Sequence, residues 1–132
     1  MKELSQKVAV VSPSGPAAIG PYSAAVRTGD FLFCSGQMPF DPSTGDVVGS
    51  DVAAQTRQTF GNMRALLQAA GASLDDVVKA TVFLVNMDDF AEMNAVYAEH
   101  FSEPYPARST VAVSALAKGA LVEIEVVAVL PE

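Results

Sequence analysis

The chain has 132 residues, half of them hydrophobic and 17% charged, and eight basic against fifteen acidic side chains give a net charge of −7. Intrinsic disorder is excluded, and one domain spanning residues 1–132 can bury roughly two-thirds of its unfolded surface without disulfide or metal staples. Lys and Arg are scattered singly, which argues against a nucleic-acid partner, and the lone Cys34 permits neither a disulfide framework nor a zinc thiolate cluster.

The N-terminus, MKELSQKVAV, lacks a secretory apolar core, and no apolar run approaches a membrane span, so the expected location is cytoplasmic, without a membrane partner. Val8 to Val11 reads as a short strand, broken by Ser12-Pro13-Ser14-Gly15-Pro16. Tyr22 to Val26 and Phe31 to Ser35 flank Arg27-Thr28-Gly29-Asp30, a β-hairpin signal. A loop through Pro39, Pro42 and Gly45 follows. Val52, Thr56, Phe60, Met63, Leu67 and Ala70 then recur at intervals of four and three, one face of an α-helix that Ser50 or Asp51 caps and Gly71 ends. Gly61 inside it costs about 1 kcal/mol against Ala, which suggests a close packing contact there. Val77 to Val85 is a β-branched, continuous strand. Asp88 or Asp89 opens a second helix with Phe90, Met93, Tyr97 and Phe101 on one stripe. Ser109 to Val113 and Leu121 to Leu130 read as strands flanking Ala117-Lys118-Gly119.

This order predicts an α+β fold, a single mixed β-sheet with two helices packed on one face. In the strand from Val77, residues Val78, Ala80, Val82 and Leu84 share one side, and Lys79, Thr81, Phe83 and Val85 the other. Only Lys79 is charged on that second side, whereas a water-facing side should be polar. The favoured expectation is a homo-oligomer that covers this face, and the alternative is that the N-terminal strands fold back over it.

Absences remove most reaction classes. His100 is the only histidine, and at a helix end it reads as a solvated cation at the negative end of the dipole. No glycine-rich phosphate loop is present. Met1, Met38, Met63, Met87 and Met93 read as gap-fillers, and Cys34 as a small buried hydrophobe. What remains is polar residues in apolar settings. Arg108 leads into a strand, where its guanidinium needs an anionic partner. Glu123 and Glu125 share one side of the final strand, about 7 Å apart, at a cost unless they are hydrogen-bonded or used. These three residues fit either an ion-pair network or an active site.

Five segments in order, Ala18-Ile19-Gly20-Pro21-Tyr22-Ser23, Cys34-Ser35-Gly36-Gln37, Met93-Asn94-Ala95-Val96-Tyr97, Pro106-Ala107-Arg108-Ser109-Thr110-Val111 and Val122-Glu123-Ile124-Glu125, resemble the Rid proteins, the reactive-intermediate imine and enamine deaminases. The similarity is to the RidA branch and runs from about Ile19 to the end. It implies a chorismate-mutase-like homotrimer with sites between subunits. It also implies hydrolysis of 2-imino acids, such as 2-iminopropanoate and 2-iminobutanoate, to 2-oxo acids and ammonia. In that resemblance Arg108 would grip the substrate carboxylate and Glu123 would position a water or shuttle its proton. Tyr22, Ser35, Gly36 and Asn94 would line the substrate site, with no metal or organic cofactor. Thr110 departs from the pattern, standing where many RidA members have a cysteine, and would act as a polar wall. Three alternatives come with the resemblance: a dedicated catabolic deaminase of 2-aminomuconate or aminoacrylate, a non-catalytic trimer that binds 2-oxo acids, and a chaperone-like trimer. An older attribution, RNA cleavage, finds neither a phosphate-binding patch nor an acid–base pair in this sequence.

Overall fold

The structure, a computed structural model, describes residues 6–132, so Met1 lies outside the described residues. Strands β1 (Val8–Val10), β2 (Ala25–Thr28) and β3 (Phe31–Gln37) precede helix α1 (Val52–Ala69). Strand β4 (Val77–Leu84), helix α2 (Phe90–His100), β5 (Ala107–Ala112) and β6 (Val122–Val129) follow. The strands form one sheet in the order β1-β2-β3-β6-β4-β5. Only β4 and β5 pair in parallel, joined by the α2 crossover, and the other neighbours are antiparallel. The architecture is therefore the expected mixed sheet with two helices.

The core lies between the helices and one sheet face. Leu32, Cys34, Ala80, Val82, Leu84, Val122, Ile124, Val126 and Ala128 from the strands pack in one cluster with Phe60, Met63, Leu67, Met93 and Tyr97 from the helices. Each such Leu, Phe or Met contributes about 1.5–3 kcal/mol by leaving water. Asp51 is the N-cap of α1, accepting a hydrogen bond from Ala54 N at 2.8 Å. Part of this helix's buried side is polar. Asn62 Nδ2 donates to Met38 O (2.9 Å) and Phe40 O (2.8 Å), and Gln55 donates to Gly49 O while accepting from Leu121 N. These amides tie the long 38–49 loop and the entry to β6 onto α1.

Several expectations shift in detail. The hairpin turn is Gly29-Asp30 alone, since Thr28 pairs with Phe31, and β2 starts at Ala25, leaving Tyr22 in the preceding loop. Strand β5 starts two residues early, at Ala107, because its parallel ladder to β4 begins at Lys79. A register shift between Val77 and Lys79 turns Val77 into the core and leaves Val78 exposed, so Val78 does not share the side of Ala80. Gly61 is overturned as a packing contact: it faces solvent, and a Cβ there would meet nothing within 4 Å. Met63 and Met93 fill the core, whereas Met87 is exposed. The far side of the sheet is uncovered among the described residues. Phe31, Phe33, Val111 and Val129 stand exposed on it, and β1 extends the sheet beside β2 instead of folding over that face. No helix among the described residues is long and apolar enough to cross a membrane.

Candidate active site

The residues singled out in the sequence gather into two groups on opposite faces of the sheet. The first lies where β5 meets α2. Arg108 pairs in register with the core residue Ala80, which turns its side chain to the helix-covered face at the sheet edge. There its Nη1 donates to Asn94 Oδ1 at 2.7 Å. The guanidinium carbon stands 4.6 Å from the Tyr97 ring centroid and 5.6 Å from that of Phe90. Such cation–π contacts are worth about 0.5–2 kcal/mol, more as the site dries. Among the described residues Nε and Nη2 of Arg108 have no hydrogen-bond partner, and no carboxylate pairs with it. Arg108, Asn94, Tyr97, Ala98, Tyr105 and Pro106 line an open cleft of about 470 Å³.

The ion-pair alternative is thereby corrected. Strand β5 neighbours β4, not β6, and Glu123 pairs with Phe83 on the opposite, uncovered face. The only ion pair among the described residues is Arg57–Glu99, at 3.4 Å between two well-exposed side chains. Thr110 lies two residues beyond Arg108 on the same side of β5, with its Oγ1 buried and unpartnered among the described residues. Burial pushes the Tyr97 hydroxyl above its usual pKa, a rise the neighbouring Arg108 charge partly offsets.

The second group surrounds the end of β3. The Glu123 carboxylate lies against the Cα of Gly36, in space that a Cβ at residue 36 would occupy, which is why glycine is needed there. Burial raises the Glu123 pKa above the usual carboxylate value, and repulsion from Glu125 adds to the rise. Ser35 donates through Oγ to Ser23 O at 2.7 Å and through N to Ala24 O at 2.9 Å, so it fastens the chain that carries Tyr22. Tyr22 is half exposed, and its Oη accepts from Ile19 N at 3.3 Å. Tyr22 and Gly36 line a small cleft with Ile19, Gln37 and Met38.

Two other expectations resolve here. Cys34 is buried and its thiol is pushed up to about 12, so it stays neutral and inert at physiological pH. His100 does end α2, but it is half-buried instead of solvated: its ring stacks on Phe60 with centroids 4.3 Å apart, and Nδ1 lies 2.8 Å from Val96 O. Sequence reasoning missed Tyr97 and Phe90 as neighbours of Arg108. The available signal was the spacing of Phe90, Asn94 and Tyr97, four and three residues apart on one helix face.

A family described as Endoribonuclease L-PSP matches residues 12–130. A RutC family protein of Pyrococcus horikoshii is 52% identical over 122 residues, covering 92% of this chain and 97% of its own length. The Rid family protein YyfA of Yersinia pestis, a solved structure, superposes with a TM-score of 0.91 at 47% identity, over 95% of this chain and all of that one. The chain belongs to the Rid (L-PSP) family. Another member of that family, the 2-iminobutanoate/2-iminopropanoate deaminase of Escherichia coli K12, is 46% identical over 123 residues, 91% of this chain and 95% of its own. The Rid assignment accounts for the five motifs together, and the fold of this chain is the fold of its solved Rid relatives.

Proposed function

We propose that this Rid chain hydrolyses short 2-imino acids, 2-iminopropanoate and 2-iminobutanoate among them, to 2-oxo acids and ammonia, at a site shared between neighbouring subunits of a homotrimer. The observation that carries this reading is the state of Arg108. Asn94 holds Nη1 at 2.7 Å, and the Nε–Nη2 edge is left without a partner beside an open cleft. That edge matches a carboxylate with two parallel N–H···O bonds, a geometry lysine cannot reproduce. The 46% identical Escherichia coli deaminase supports the reaction class.

A homotrimer supplies what one chain lacks. Arg108 and Glu123 sit on opposite faces, so an acid–base partner for an imine held by Arg108 comes from Glu123 of the partner subunit, across the uncovered sheet face. Tyr22, Ser35 and Gly36 accompany Glu123, while Asn94 and Thr110 accompany Arg108. As a water oxygen bonds to C2 of the protonated imine, Glu123 accepts a proton from that water and the C=N π electrons move to nitrogen, which gives a neutral carbinolamine. Glu123 then returns its proton to the amine nitrogen, and the C–N bond breaks with the electron pair leaving on ammonia. The hydroxyl oxygen forms the C=O bond, and its proton passes to Glu123 and on to ammonia, so that the 2-oxo acid and ammonium remain. The imine carbon is already electrophilic, and the residues named here suffice for the proton transfers.

The test couples a threonine dehydratase, which releases 2-iminobutanoate, to the purified chain, with semicarbazide trapping the free imine. Semicarbazone should fall when the chain is present in catalytic amounts. Arg108→Lys should cost about 1.5–3 kcal/mol, roughly 10- to 160-fold in kcat/KM, with an unchanged unfolding transition. A wild-type rate no faster than buffer overturns the proposal, and so does full activity in Arg108→Lys.

A further inference from the structure

The Met93-Asn94-Ala95-Val96-Tyr97 segment gives Asn94 to the proposed site and assigns its tyrosine nothing there beyond core packing. In the structure that ring is buried, with its face toward the Arg108 guanidinium at 4.6 Å, and its hydroxyl has no partner among the described residues. We propose that Tyr97 is a positioning residue whose ring fixes the tilt of the Arg108 guanidinium, while Asn94 fixes its rotation and Phe90 adds a second, more exposed ring.

A planar cation that binds a carboxylate through two bonds must be set in two ways, by its tilt and by its turn within the plane. One hydrogen bond at Nη1 sets the turn and leaves the tilt soft. An aromatic face opposite the cation restrains the tilt, because attraction is greatest when the guanidinium lies over the ring. Phe90, Asn94 and Tyr97 lie four and three residues apart on α2, so one helix face delivers ring, amide and ring to the same guanidinium. A hydroxyl is not needed for this, in keeping with the unpartnered Tyr97 Oη. Without the ring, Arg108 would spread over several rotamers and the ligand would have to order it, which weakens binding more than it slows chemistry.

The inference rests on the proposed carboxylate-binding role of Arg108, and the experiment separates the two. In Tyr97→Leu, KM for 2-iminobutanoate and Kd for 2-oxobutanoate should rise together by about tenfold, with kcat within about threefold of wild type. Tyr97→Phe should recover most of that loss. The Arg108 side-chain N–H signals, followed by NMR in the unliganded chain, should carry a ring-current shift that Tyr97→Phe retains and Tyr97→Leu reduces to the smaller part contributed by Phe90. An unchanged KM and unshifted signals in folded Tyr97→Leu overturn the proposal, as does a Tyr97→Phe variant as weak as Tyr97→Leu. If Tyr97→Leu fails to fold, the exposed Phe90→Leu decides: a KM about threefold higher supports the seat, and an unchanged KM overturns it. If wild type neither hydrolyses the imine nor binds 2-oxobutanoate, the functional reading falls, and the NMR signals still decide whether Tyr97 orders Arg108.

Discussion

Glu123 sits against the backbone of Gly36 with Glu125 two residues along on the same face of β6, and both burial and that neighbour disfavour its charge. The folded chain therefore holds the Glu123 proton more tightly than the unfolded chain does. Between the ordinary value of 4.5 and the raised one, stability falls as pH rises, and ionised Glu123 is a cost to the fold at neutral pH. Glu123→Gln should thus resist urea better than wild type at pH 7, with the difference disappearing below pH 4.5. The same variant should lose most imine hydrolysis while still binding 2-oxobutanoate. In wild type, kcat/KM should fall as pH drops through the raised pKa, because a base must be ionised to accept a proton. Equal stability of the two proteins at pH 7 would contradict the burial argument, and an unchanged rate would contradict the role.

At the scale of elements, α1 does two jobs with one face. Phe60, Met63 and Leu67 bury apolar area against the sheet, while Gln55 and Asn62 satisfy carbonyls of the 38–49 loop. That loop contributes Met38 and Phe40 to the cleft beside Tyr22 and Gly36, so the helix amides help shape that part of the proposed site. Gly61 serves neither job. It sits mid-helix, exposed, with open space where a side chain would go. Gly61→Ala should therefore stabilise the chain by about 1 kcal/mol and raise Tm by about 2–5 °C, read by thermal melting, with activity unchanged. A lower Tm would show that residue 61 needs its glycine.

For the whole molecule, the geometry places the two residue groups of the proposed site on opposite sheet faces. Arg108 stands at the sheet edge under α2, and Glu123 stands on the bare face, where Phe31 and Phe33 are 49% and 47% exposed. An apolar face of this kind suits burial against another copy, and cyclic symmetry would repeat one Arg108–Glu123 junction at each interface. Mixing tests this directly. Arg108→Ala and Glu123→Gln are each expected to be inactive, but refolded together in equal amounts they should regain about a quarter of wild-type activity, since each junction needs one intact residue from each neighbour. No recovery would mean that the site is not shared.

The sequence by itself determined most of the elements and most of their faces. Residues 52–70 read as a helix because their spacing is helical, and β6 alternates Val122, Ile124, Val126 and Ala128 inward because a strand has a period of two. The five motifs were enough for the family, since a match in order and spacing is a property of the chain alone. Tertiary structure decided what touches what. The register shift that exposes Val78 depends on hydrogen bonding to β6, and the solvent beyond Gly61 depends on where α1 lies on the sheet. The separation of Arg108 from Glu123 follows from strand order, with β4 lying between β5 and β6, and local sequence carries no record of that order. The seating of Arg108 on Tyr97 likewise needed the α2 crossover to bring residues 90–97 over β5, because their spacing says which side chains share a face and not what that face meets.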